Sequence, residues 1–557
     1  MDDGHTRFSR LSRRGFLGGI AASAAAAILA ACGGSTATNT PKPAGTTGAA
    51  TTAGAAPTTA VGVATSPASS AAAVATKPAA SAVTGAASTS APAVSTTAAS
   101  GSAVARGTTV PSGSAVASSS GPVGTIPPPA PDKFKGQTLN MISRNEYFKS
   151  AEQALDASLQ DWAKQLGIKV NNDRVNVDTG DFATKVDASV KAGNPPDLVY
   201  VDRFLSQFVQ LGDLTDMADA VAQAQQAFGP VEDGSKINLM IDGKWWCLPY
   251  FSGASGWFLR KDWLAEKNIK PTDLKTFEQL RDAALAISDP AKNRFGWGLT
   301  TNTGGDGTGT VTSAVYAYGG AVYSNDGKKV VFNSPETVTG VSFLADIYTN
   351  PKYKNMLPPG VNGWTDTSNN EAWLAGTLGI TQNAYTLYAQ SFATKNAVYD
   401  QTAIAPGFTG PATEQVIATP GSGYLAIPKG AKNAELAKAT ALYLIGGPAF
   451  LNLAKPSLGL ILPTYKNEWN SDPFYTTGDP SFPALRQIIE GKLPITTKTG
   501  YAFPQTPSPI YEQGVNGQHI LNDMMGSIIQ KGVKPADAVK VAHDQLVQVA
   551  KQLGLPQ

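Results

Sequence analysis

The sequence has very little cysteine and histidine, the side chains on which most metal centres and thiol or imidazole nucleophiles depend. Among its 557 residues there are 2 cysteines and 3 histidines. His519 and His543 fall in a helical pattern near the C-terminus, and Cys247 lies in the apolar run Trp245–Pro249, where a buried structural thiol is expected. This composition leaves no material for a metal site or for Cys/His catalysis, so no metal and no cofactor are expected.

A second deficit covers about a hundred residues near the N-terminus. From Gly33 to Ala130 there is no Asp, no Glu and no aromatic residue, and the only charges are Lys42, Lys77 and Arg106. A segment built from Ala, Thr, Ser, Pro and Gly cannot bury enough apolar surface to offset its chain entropy. Residues 33–132 are therefore predicted to form a disordered tether. Their composition also allows a glycosylated stalk, an alternative that stays open.

The N-terminal segment contains a short apolar run behind a pair of arginines. Ile20–Ala31 spans 12 residues, whereas a membrane-spanning helix needs about 20, so a secretory signal is expected rather than a transmembrane helix. The stretch Ser12–Leu17, which contains Arg13 and Arg14, resembles the twin-arginine export signal, with Gly18 where a lysine is often found. Export by the general route is the alternative.

The apolar run ends in Leu-Ala-Ala-Cys, residues 29–32, which resembles the box of bacterial lipoproteins. In that family the peptide is cut before the cysteine, and the cysteine then carries acyl chains that attach it stably to a membrane. The resemblance implies an export signal at residues 1–32 and a lipid anchor at Cys32, on the outer face of the cytoplasmic membrane in the cell envelope. A plain cleaved signal is the alternative. With Cys32 acylated, Cys247 has no partner for a disulfide.

The body of the protein, residues 131–557, carries almost balanced charge. Of the 44 Lys and Arg residues 7 precede Pro131, and of the 42 Asp and Glu residues 2 do, which leaves the body with 37 basic and 40 acidic residues and a net charge of −3. Such a surface gives no electrostatic reason to bind nucleic acid. The 427 residues of the body suit two lobes of roughly 200 residues each.

The first part of the body alternates strand-like and helix-like patterns, the order typical of an open α/β sheet. The predicted elements, strand first, cover residues 137–142, 151–166, 168–177, 181–192 and 197–201. Further on, Thr276 is expected to N-cap a helix over 276–287. The Gly-rich stretch Thr301–Gly309 lacks the lysine and the spacing of a phosphate-binding loop. It is predicted to be a loop, either at the mouth of a ligand site or as a simple connection. Near the C-terminus, residues 520–553 are predicted to be helical.

Several stretches of the body, taken in order, resemble the motifs of one protein family, although each stretch alone is a weak match. They are AGNPPDLVY at 192–200, GKWWCLPY at 243–250, LRKDWL at 259–264, GGAVY at 319–323, FNSPE at 332–336, NEAWLAG at 370–376 and GYLAIPKG at 423–430. In this order and spacing they resemble the family 1 extracellular solute-binding proteins of ABC importers, the group that contains the maltose-binding protein.

The resemblance implies an α/β fold of the periplasmic-binding-protein type, with two lobes that close on a ligand about a hinge. The chain would cross between the lobes three times, near Pro249, Asn383 and Gly423. The expected boundaries are 133–247 plus 384–422 for the first lobe and 248–383 plus 423–557 for the second. The ligand would lie in the cleft, at the carboxyl ends of strands.

The candidate ligand residues are polar and aromatic side chains at strand ends and at the predicted crossings. Arg144 and Asn145 follow the first strand, and Asp202 and Arg203 follow strand 197–201. Carboxylates accept and guanidiniums donate hydrogen bonds to sugar hydroxyls, although a surface ion pair is the plainer interpretation. Trp364 is either a ligand platform or lobe packing. The full predicted set is Arg144, Asn145, Tyr200, Asp202, Arg203, Tyr250, Trp364, Asn383, Tyr385, Gly421 and Tyr424.

The resemblance therefore implies a non-enzymatic receptor that passes a small polar solute to ABC permease subunits. A mono- or oligosaccharide is the expected solute, because sugars stack on aromatic rings and bind planar polar groups. The protein is expected to be a monomer without a nucleic-acid partner. The alternatives are an anchored carbohydrate-active hydrolase, which would need two carboxyl groups across a cleft, and a sensory binding protein of the same fold.

Overall fold

The computed structural model describes residues 123–177, 181–414, 419–457, 459–478, 481–490 and 495–556. The predicted export signal, Cys32 and the tether up to residue 122 lie outside the described residues, as do the predictions made for them.

The strands and helices of the described residues alternate through most of the body. The strands are β1 (Thr138–Arg144), β2 (Lys169–Val175), β3 (Leu198–Val201), β4 (Met240–Ile241), β5 (Lys244–Trp245), β6 (Leu248–Arg260), β7 (Phe295–Trp297), β8 (Leu378–Ala384), β9 (Thr402–Ala405), β10 (Thr419–Ala426), β11 (Ile495–Thr496) and β12 (Ala502–Phe503). The α-helices are α1 (Lys149–Leu166), α2 (Asp181–Lys191), α3 (Leu205–Leu211), α4 (Ala218–Phe228), α5 (Asp233–Leu239), α6 (Lys261–Glu266), α7 (Phe277–Ile287), α8 (Gly305–Ala317), α9 (Pro335–Thr349), α10 (Ser368–Leu374), α11 (Thr386–Ala393), α12 (Ala434–Leu444), α13 (Gly447–Ala454), α14 (Phe474–Thr477), α15 (Phe482–Ile489), α16 (Ile520–Lys531) and α17 (Pro535–Gln552).

One mixed sheet runs through the body in the order β2-β1-β3-β10-β6-β8-β7, and β9 also pairs with β6. β1 is parallel to β2 and β3, and β7 is parallel to β8. β10 is antiparallel to β3 and β6. The 13-residue strand β6 belongs to both halves of the sheet, because it pairs with β10 from Leu248 to Ser255 and with β8 from Ser255 to Leu259.

The two halves of the sheet are the centres of two lobes. We call residues 123–252 and 423–490 the N-lobe, and residues 256–414 and 495–556 the C-lobe, with the undescribed residues left out of each. β3 is a continuous apolar strand with all four side chains fully buried, as its sequence predicts. Leu198 and Tyr200 pack on one face of the N-lobe sheet, and Val199 and Val201 pack on the other.

The C-lobe sheet is covered in the same way. Trp257 and Leu259 of β6 point into a core formed with α7, α8, α9, α16 and α17, and Phe258 between them points to the opposite face, beside Tyr385 and Tyr388 of the α11 region. Side chains of a strand alternate between its two faces, so this long strand supplies core residues to both layers of helices.

The contacts correct the predicted lobe boundaries. Residues 384–422 were expected in the first lobe, but β9 pairs with Trp257–Arg260 of β6 in the C-lobe. Residues 423–557 were expected in the second lobe, but α12 and α13 pack on α1 of the N-lobe. There, Trp162 Nε1 donates to Thr440 Oγ1 at 3.0 Å. Spacing along the chain does not reveal which layer a helix joins.

The places where the chain crosses between lobes follow from these contacts. β6 and β10, which contain Pro249 and Gly423, each run from one lobe to the other. The predicted crossing near Asn383 is wrong, because β8 and α11 on either side of it both lie in the C-lobe. Helix α15 packs in the N-lobe, and Ile495 lies in the core of the C-lobe, so the chain lies in different lobes on the two sides of the undescribed residues 491–494.

Some of the predicted strands, helices and loops are confirmed, and others are wrong. The β-α-β-α-β order from β1 to β3 is confirmed, and Thr276 does N-cap α7, with a capping box to Gln279. The predicted loop Thr301–Gly309 is wrong in its second half, because α8 begins at Gly305. The helical stretch 520–553 is two helices, because Gly532 ends the first in a left-handed conformation and Pro535 begins the second.

Membrane-spanning segments were sought among the described helices. None of them alone has the length and hydropathy to cross a membrane. One pair, α12 with α13, meets the criterion only when taken together, and its two members are bent by 64° relative to each other.

Candidate functional site in the cleft between the lobes

A cavity of about 460 Å³ lies where the two lobes meet, within the size range of small-molecule sites. It is lined at the carboxyl ends of two parallel strand pairs, β1 with β3 in the N-lobe and β7 with β8 in the C-lobe. The lining residues are Arg144, Asn145, Glu146, Tyr147, Asn176, Val177, Asp202 and Arg203 from the N-lobe, Phe251, Gly253, Ala254, Ser255, Gly421, Ser422 and Leu460 near the crossing strands, and Gly305, Asp306, Asp366, Thr367, Asn383, Ala384 and Thr386 from the C-lobe.

The N-lobe wall is organised around the buried guanidinium of Arg144. Its Nη2 donates to Glu146 Oε2 at 2.9 Å, and its Nη1 pairs with Asp202 Oδ2. The hydroxyl of Tyr200 donates to the other oxygen of Glu146 at 2.6 Å. The guanidinium also lies over the ring of Phe251, 5.1 Å from its centroid. Because these contacts fix the side chain from several sides, Arg144 presents a rigid, charged surface to the cleft.

The ionisation of this wall follows from burial and from the paired charges. Burial alone would raise the pKa of Asp202, but the guanidiniums of Arg144 and Arg203 hold it below its usual value of 3.8. Burial opposes the charge of Arg144, and Asp202 and Glu146 outweigh this effect and raise its pKa. Arg144 and Asp202 therefore stay charged at neutral pH, and both line the cavity.

Arg203 is held by Asp202, which lies beside its side chain, and by Tyr424, which bonds to its backbone. Its Nε lies 3.4 Å from Asp202 Oδ1, and its carbonyl oxygen accepts a 2.8 Å hydrogen bond from the hydroxyl of Tyr424. The next residue, Phe204, has φ of 71°, a left-handed conformation that is costly for a bulky side chain. The backbone N–H of Phe204 lies near the buried carboxyl of Glu512 in the C-lobe and partly opposes the rise in the pKa of that carboxyl that burial causes. The strained turn thus fixes the point at which Arg203 enters the cleft.

The C-lobe wall begins with two aspartates at the N-terminus of α8. Asp366 accepts hydrogen bonds from the backbone N–H groups of Gly305 at 2.8 Å and Asp306 at 3.1 Å. Gly304 has φ of 140°, and a Cβ atom there would lie 2.3 Å from Asp366 Oδ1. Only glycine permits this approach, which gives the Gly-rich stretch a structural reason.

A network of amides and hydroxyls holds the other aspartate. Asp306 Oδ2 accepts from Asn369 Nδ2 at 2.8 Å and from Asn383 Nδ2 at 3.1 Å. Asn383 Nδ2 also donates to Asn370 Oδ1 at 2.7 Å, and Asn383 Oδ1 accepts from Thr386 Oγ1 at 2.9 Å. Asn370 Nδ2 closes the ring by donating to Thr386 Oγ1 at 3.1 Å. The carboxylate and amide of this wall are therefore pre-oriented.

Six of the eleven predicted ligand residues line the cavity, namely Arg144, Asn145, Asp202, Arg203, Asn383 and Gly421. The four tyrosines of the prediction, Tyr200, Tyr250, Tyr385 and Tyr424, are at most 1% exposed and lie behind the wall. Their rings pack in the core. The hydroxyl of Tyr200 donates to Glu146, and that of Tyr424 donates to the carbonyl oxygen of Arg203. They support the lining residues from behind rather than reaching the cavity.

Trp364 also does not line the cavity. Its ring packs against the hydrophobic core, and its carbonyl oxygen accepts from Asn302 Nδ2 at 3.1 Å. Of the two interpretations offered for this residue, lobe packing describes its place in the structure. Two residues further on, Asp366 does line the cavity.

Sequence reasoning missed Glu146, Tyr147, Asp306 and Asp366. Signals for them existed, because Glu146 and Tyr147 directly follow the predicted Arg144 and Asn145, and Asp306 lies in the Gly-rich stretch that was weighed as a ligand mouth. Asp366 lies two residues after the predicted Trp364. Position at a strand end, at a helix N-terminus or beside another candidate marks these four residues better than their side-chain type does.

Two other features carry less chemistry. Cys247 is fully buried, its Sγ lies 3.8 Å from the carbonyl oxygen of Leu239, and burial raises its pKa well above the usual value, as expected of a structural thiol. A second cavity of about 480 Å³ lies between residues 126–129 and α1, α4 and α12. Its Lys438 is already paired with Asp219 at 2.8 Å.

Among the described residues no group of His, Cys, Asp and Glu is arranged to hold a metal ion.

The structure is similar to solved structures of bacterial binding proteins. T. maritima MalE3 with bound maltose aligns with 74% of this chain and 100% of its own, at 20% identity and a TM-score of 0.61. The solute-binding protein of Agrobacterium vitis S4 with D-mannitol aligns with 76% and 100%, at 19% identity and a TM-score of 0.63. That of Agrobacterium radiobacter K84 with ribitol aligns with 75% and 99%, at 19% identity and a TM-score of 0.62. The likeness confirms the predicted two-lobe α/β fold.

A search of curated protein sequences returned no match. The amino-acid sequence itself does match a family profile, that of the bacterial extracellular solute-binding proteins, over residues 145–446. This match spans more than half of the chain and includes most residues of both cleft walls, although it begins one residue after Arg144. It confirms the resemblance read from the sequence. The chain therefore belongs to the bacterial extracellular solute-binding proteins, a family of binding proteins and not of enzymes.

Proposed function

We propose that this protein is the substrate-binding component of an ABC importer and that it captures a sugar or polyol in the cleft. The observation that carries the proposal is the cavity between the lobes, whose walls combine guanidiniums, carboxylates and amides. These groups donate and accept the hydrogen bonds that hydroxyl groups need. The maltose, D-mannitol and ribitol held by three similar structures support this class of ligand.

Closure of the lobes would bury the solute. The lobes are joined by the strands β6 and β10, each of which runs from one lobe to the other. Rotation about such a pair of strands is a hinge motion that leaves both lobes rigid. The closed protein would then deliver the solute to the permease subunits, and each delivery needs one monomer.

We propose the cellular location of the protein from its N-terminal sequence. A lipid on Cys32 would hold the protein at the outer face of the cytoplasmic membrane, and residues 33–132 would act as a tether in the cell envelope. The Cys32→Ala protein should appear in the soluble fraction or remain unprocessed. If it sediments with membranes and is cut at the same bond as the parent, the anchor proposal is wrong.

Arg203→Ala tests the ligand site. Arg203 lines the cavity, and its side chain is 24% exposed. Hydrogen bonds to a charged donor each contribute roughly 1.5–3 kcal/mol, so affinity for the best-binding sugar or polyol should fall at least about tenfold. Calorimetric titration of a panel of neutral sugars and polyols measures this, and X-ray scattering in solution should show a more compact body with ligand.

Arg281→Ala is the matched control, because its side chain is 19% exposed and pairs with Asp282 outside the cavity. It should bind the ligand as the parent does. Turnover of the ligand into product by the purified protein would contradict the proposal, as would the absence of binding to every member of the panel. If Arg203→Ala binds as tightly as the parent, this arginine is not a ligand contact.

A further inference from the structure

Helix α5 is bonded to both strands that run from one lobe to the other. The hydroxyl of Ser235 lies 2.5 Å from that of Ser252 in β6, and the hydroxyl of Ser422 in β10 donates to it at 3.1 Å. Asn238 Nδ2 donates to the carbonyl oxygen of Pro420, also in β10, at 3.0 Å. The short helix therefore ties β6 and β10 together at the point where they leave the N-lobe.

The same helix also packs against α15. A Cβ atom on Gly234 would lie 2.6 Å from the carbonyl oxygen of Ile489, the last residue of α15. The chain changes lobes across the undescribed residues 491–494, which follow soon after this helix. Helix α5 thus lies beside three passages of the chain between the lobes, and a change in its packing acts on the connection itself.

A buried carboxyl group lies at the start of α5. Glu232 directly precedes the helix, its backbone N–H donates to the carbonyl oxygen of Thr464 at 2.8 Å, and its own carbonyl oxygen accepts from the backbone N–H groups of Ser235 and Lys236. The residue is 0% exposed, and neither carboxyl oxygen has a hydrogen-bond partner among the described residues. The backbone of Glu232 is therefore fixed, whereas its side chain is buried without a bond.

The charged groups that face this carboxyl are paired with one another. Lys466 Nζ lies 3.3 Å from Asp233 Oδ2, and Lys236 Nζ lies 2.9 Å from the other oxygen of Asp233. On α15, Arg486 Nε lies 2.6 Å from Glu490 Oε1. Each of these cations thus has another carboxylate as its described partner, and the two carboxylates carry the same charge that the buried group would acquire.

Ionisation of a carboxyl in this position is unfavourable. A buried carboxylate that accepts no hydrogen bond loses its hydration without compensation, so the neutral form is preferred. Burial and then the charge of Glu490 raise the pKa of Glu232 to about 7, although Lys466 and Arg486 oppose the rise. The geometry and the surrounding charges therefore agree that this side chain is neutral in acid and becomes charged as the solution turns alkaline.

We infer that Glu232 is a pH-sensitive support of the connection between the lobes, which holds α5 firmly against β6 and β10 when it is neutral and loosens it when it is ionised. An ionised side chain must gain water or move outward, and α5 begins at the next residue. Ser235, which bonds to Ser252 and Ser422, is three residues away. A displacement at Glu232 is therefore passed to these bonds.

The inference needs no ligand and goes beyond the proposed function. A consequence for transport does rest on that function: if the lobes close about β6 and β10, the same carboxyl would make the hinge firmer in acid and looser in alkali. The experiments below measure stability and local opening in the ligand-free protein, so their result is independent of whether a sugar or polyol binds.

The direction of the effect follows from the folded and unfolded pKa values. The pKa of Glu232 is about 7 in the folded protein, above its usual value of 4.5. Its contribution to stability is therefore fully present below about pH 4.5 and is lost as the pH rises to about 7. Because a shift of one unit corresponds to a factor of about ten in the unfolding equilibrium constant, the loss should be at least about tenfold.

Glu232→Gln tests this direction in the full chain, because glutamine has the shape of the neutral carboxyl and does not titrate. Urea denaturation at pH 5, 6, 7 and 8 gives the unfolding equilibrium constants of the parent and the variant. The ratio of parent to variant should rise at least about tenfold from pH 5 to pH 8.

Asp544→Asn is the control for this titration. Asp544 lies on α17 of the C-lobe, is exposed, and pairs with Lys540 at 2.7 Å. The hydrogen bond from Lys540 lowers the pKa of Asp544 below its usual value of 3.8, so its contribution is constant above about pH 4. The ratio of parent to this variant should stay the same from pH 5 to pH 8.

Hydrogen exchange shows whether the charge acts on α5. At pH 8 the amides of α5 should exchange faster in the parent than in Glu232→Gln, and at pH 5 the two should exchange alike. Each comparison is made at one pH, so the intrinsic dependence of exchange on pH cancels. Ser235→Ala removes the hydroxyl bonds to Ser252 and Ser422 without changing a charge. It should speed exchange in α5, relative to Glu232→Gln, at pH 5 as well as at pH 8.

Three outcomes would overturn the inference. The first is a ratio of parent to Glu232→Gln that does not rise with pH. The second is a rising ratio with equal exchange of α5 in the two proteins at pH 8, because the charge would then act elsewhere. The third is unchanged exchange of α5 in Ser235→Ala, since the helix would then not depend on its bonds to the strands.

The parent alone decides the question if Glu232→Gln does not fold. The protection of the α5 amides, expressed relative to an unfolded peptide at the same pH, should fall from pH 5 to pH 8, and that of α17 should not. Constant protection of α5 over this range overturns the inference.

Discussion

The two walls of the cleft hold their polar groups in different ways. In the N-lobe a buried guanidinium is clamped between two carboxylates, Glu146 and Asp202. In the C-lobe two aspartates are held by backbone N–H groups and by a ring of neutral amides and a hydroxyl. Both arrangements fix side chains at strand or helix ends. The first relies on opposite charges, whereas the described hydrogen bonds of the second come from neutral groups.

The difference has a physical consequence for each wall. Opposite charges in a buried cluster depend on one another, because removal of one leaves the others desolvated and unpaired. Neutral donors around a carboxylate can be lost one at a time at a modest cost. Loss of one charged residue should therefore lower the free energy of unfolding strongly in the N-lobe wall. Loss of one neutral donor in the C-lobe wall should lower it only slightly, except where the backbone geometry is fixed.

Arg144→Met should produce the largest effect. The substitution keeps most of the volume but leaves Glu146, whose side chain is 1% exposed, and Asp202 without their shared partner. Breaking a buried ion pair in this way costs about 3–5 kcal/mol. The free energy of unfolding, measured by urea denaturation, should fall by this amount.

Arg260→Met is the matched control in the C-lobe. Arg260 is nearly as buried, at 6% exposure, but it pairs with Asp262, whose side chain is 35% exposed and can be solvated when the arginine is lost. Its loss should cost clearly less. Equal losses in the two variants would show that shared carboxylates do not make the N-lobe wall special.

Gly304→Ala should have the next largest effect, since it changes a position where the described C-lobe wall depends on backbone geometry. The φ of 140° is strained for alanine, and the new Cβ would lie 2.3 Å from Asp366 Oδ1. Strain of this kind costs about 1–3 kcal/mol. Displacement of Asp366 should also weaken ligand binding.

Gly309→Ala, in helix α8, which Gly304 directly precedes, separates the effect on the site from a general effect on the helix. A Cβ at Gly309 would meet nothing within 4 Å, and alanine in a helix interior is favoured over glycine by about 0.5–1 kcal/mol. This variant should be slightly stabilised and should bind ligand normally. Comparable stability of the two alanine variants would contradict the steric role of Gly304.

The same contrast explains what the sequence could and could not predict. The N-lobe wall was largely predicted, because Arg144, Asn145, Asp202 and Arg203 directly follow apolar strands, and the carboxyl ends of parallel strands share one edge. The fold class was predicted for a related reason, since alternating strand and helix patterns leave few topologies open.

The C-lobe wall and the lobe boundaries were harder for physical reasons. Asp366 reaches the cleft through an irregular loop and a glycine with unusual backbone angles, and neither has a periodic signature. The tyrosines were chosen because sugars stack on aromatic rings, yet rings such as Tyr250 are also the largest pieces of a core. The layer joined by α12 and α13 is decided by long-range packing on α1, which local pattern does not encode.

The smallest expected effect is a dependence of stability on pH in the N-lobe wall. The pKa of Asp202 is lowered in the folded protein relative to 3.8. Its contribution is therefore fully present above about pH 4 and is lost as the pH falls through the lower, folded value. The stability difference between the parent and Asp202→Asn should be constant from about pH 7 to about pH 5 and should narrow toward pH 3.

Thr386→Val provides the contrast from the C-lobe wall. The threonine hydroxyl donates to Asn383 Oδ1 and accepts from Asn370 Nδ2, and neither amide titrates. Its loss should cost about 1 kcal/mol at every pH in the range. Urea denaturation at pH 3, 4, 5 and 7 measures both differences against the parent. If the two variants show the same pH profile, the walls do not differ in how they are held, because charge would then contribute no more to the N-lobe wall than to the C-lobe wall.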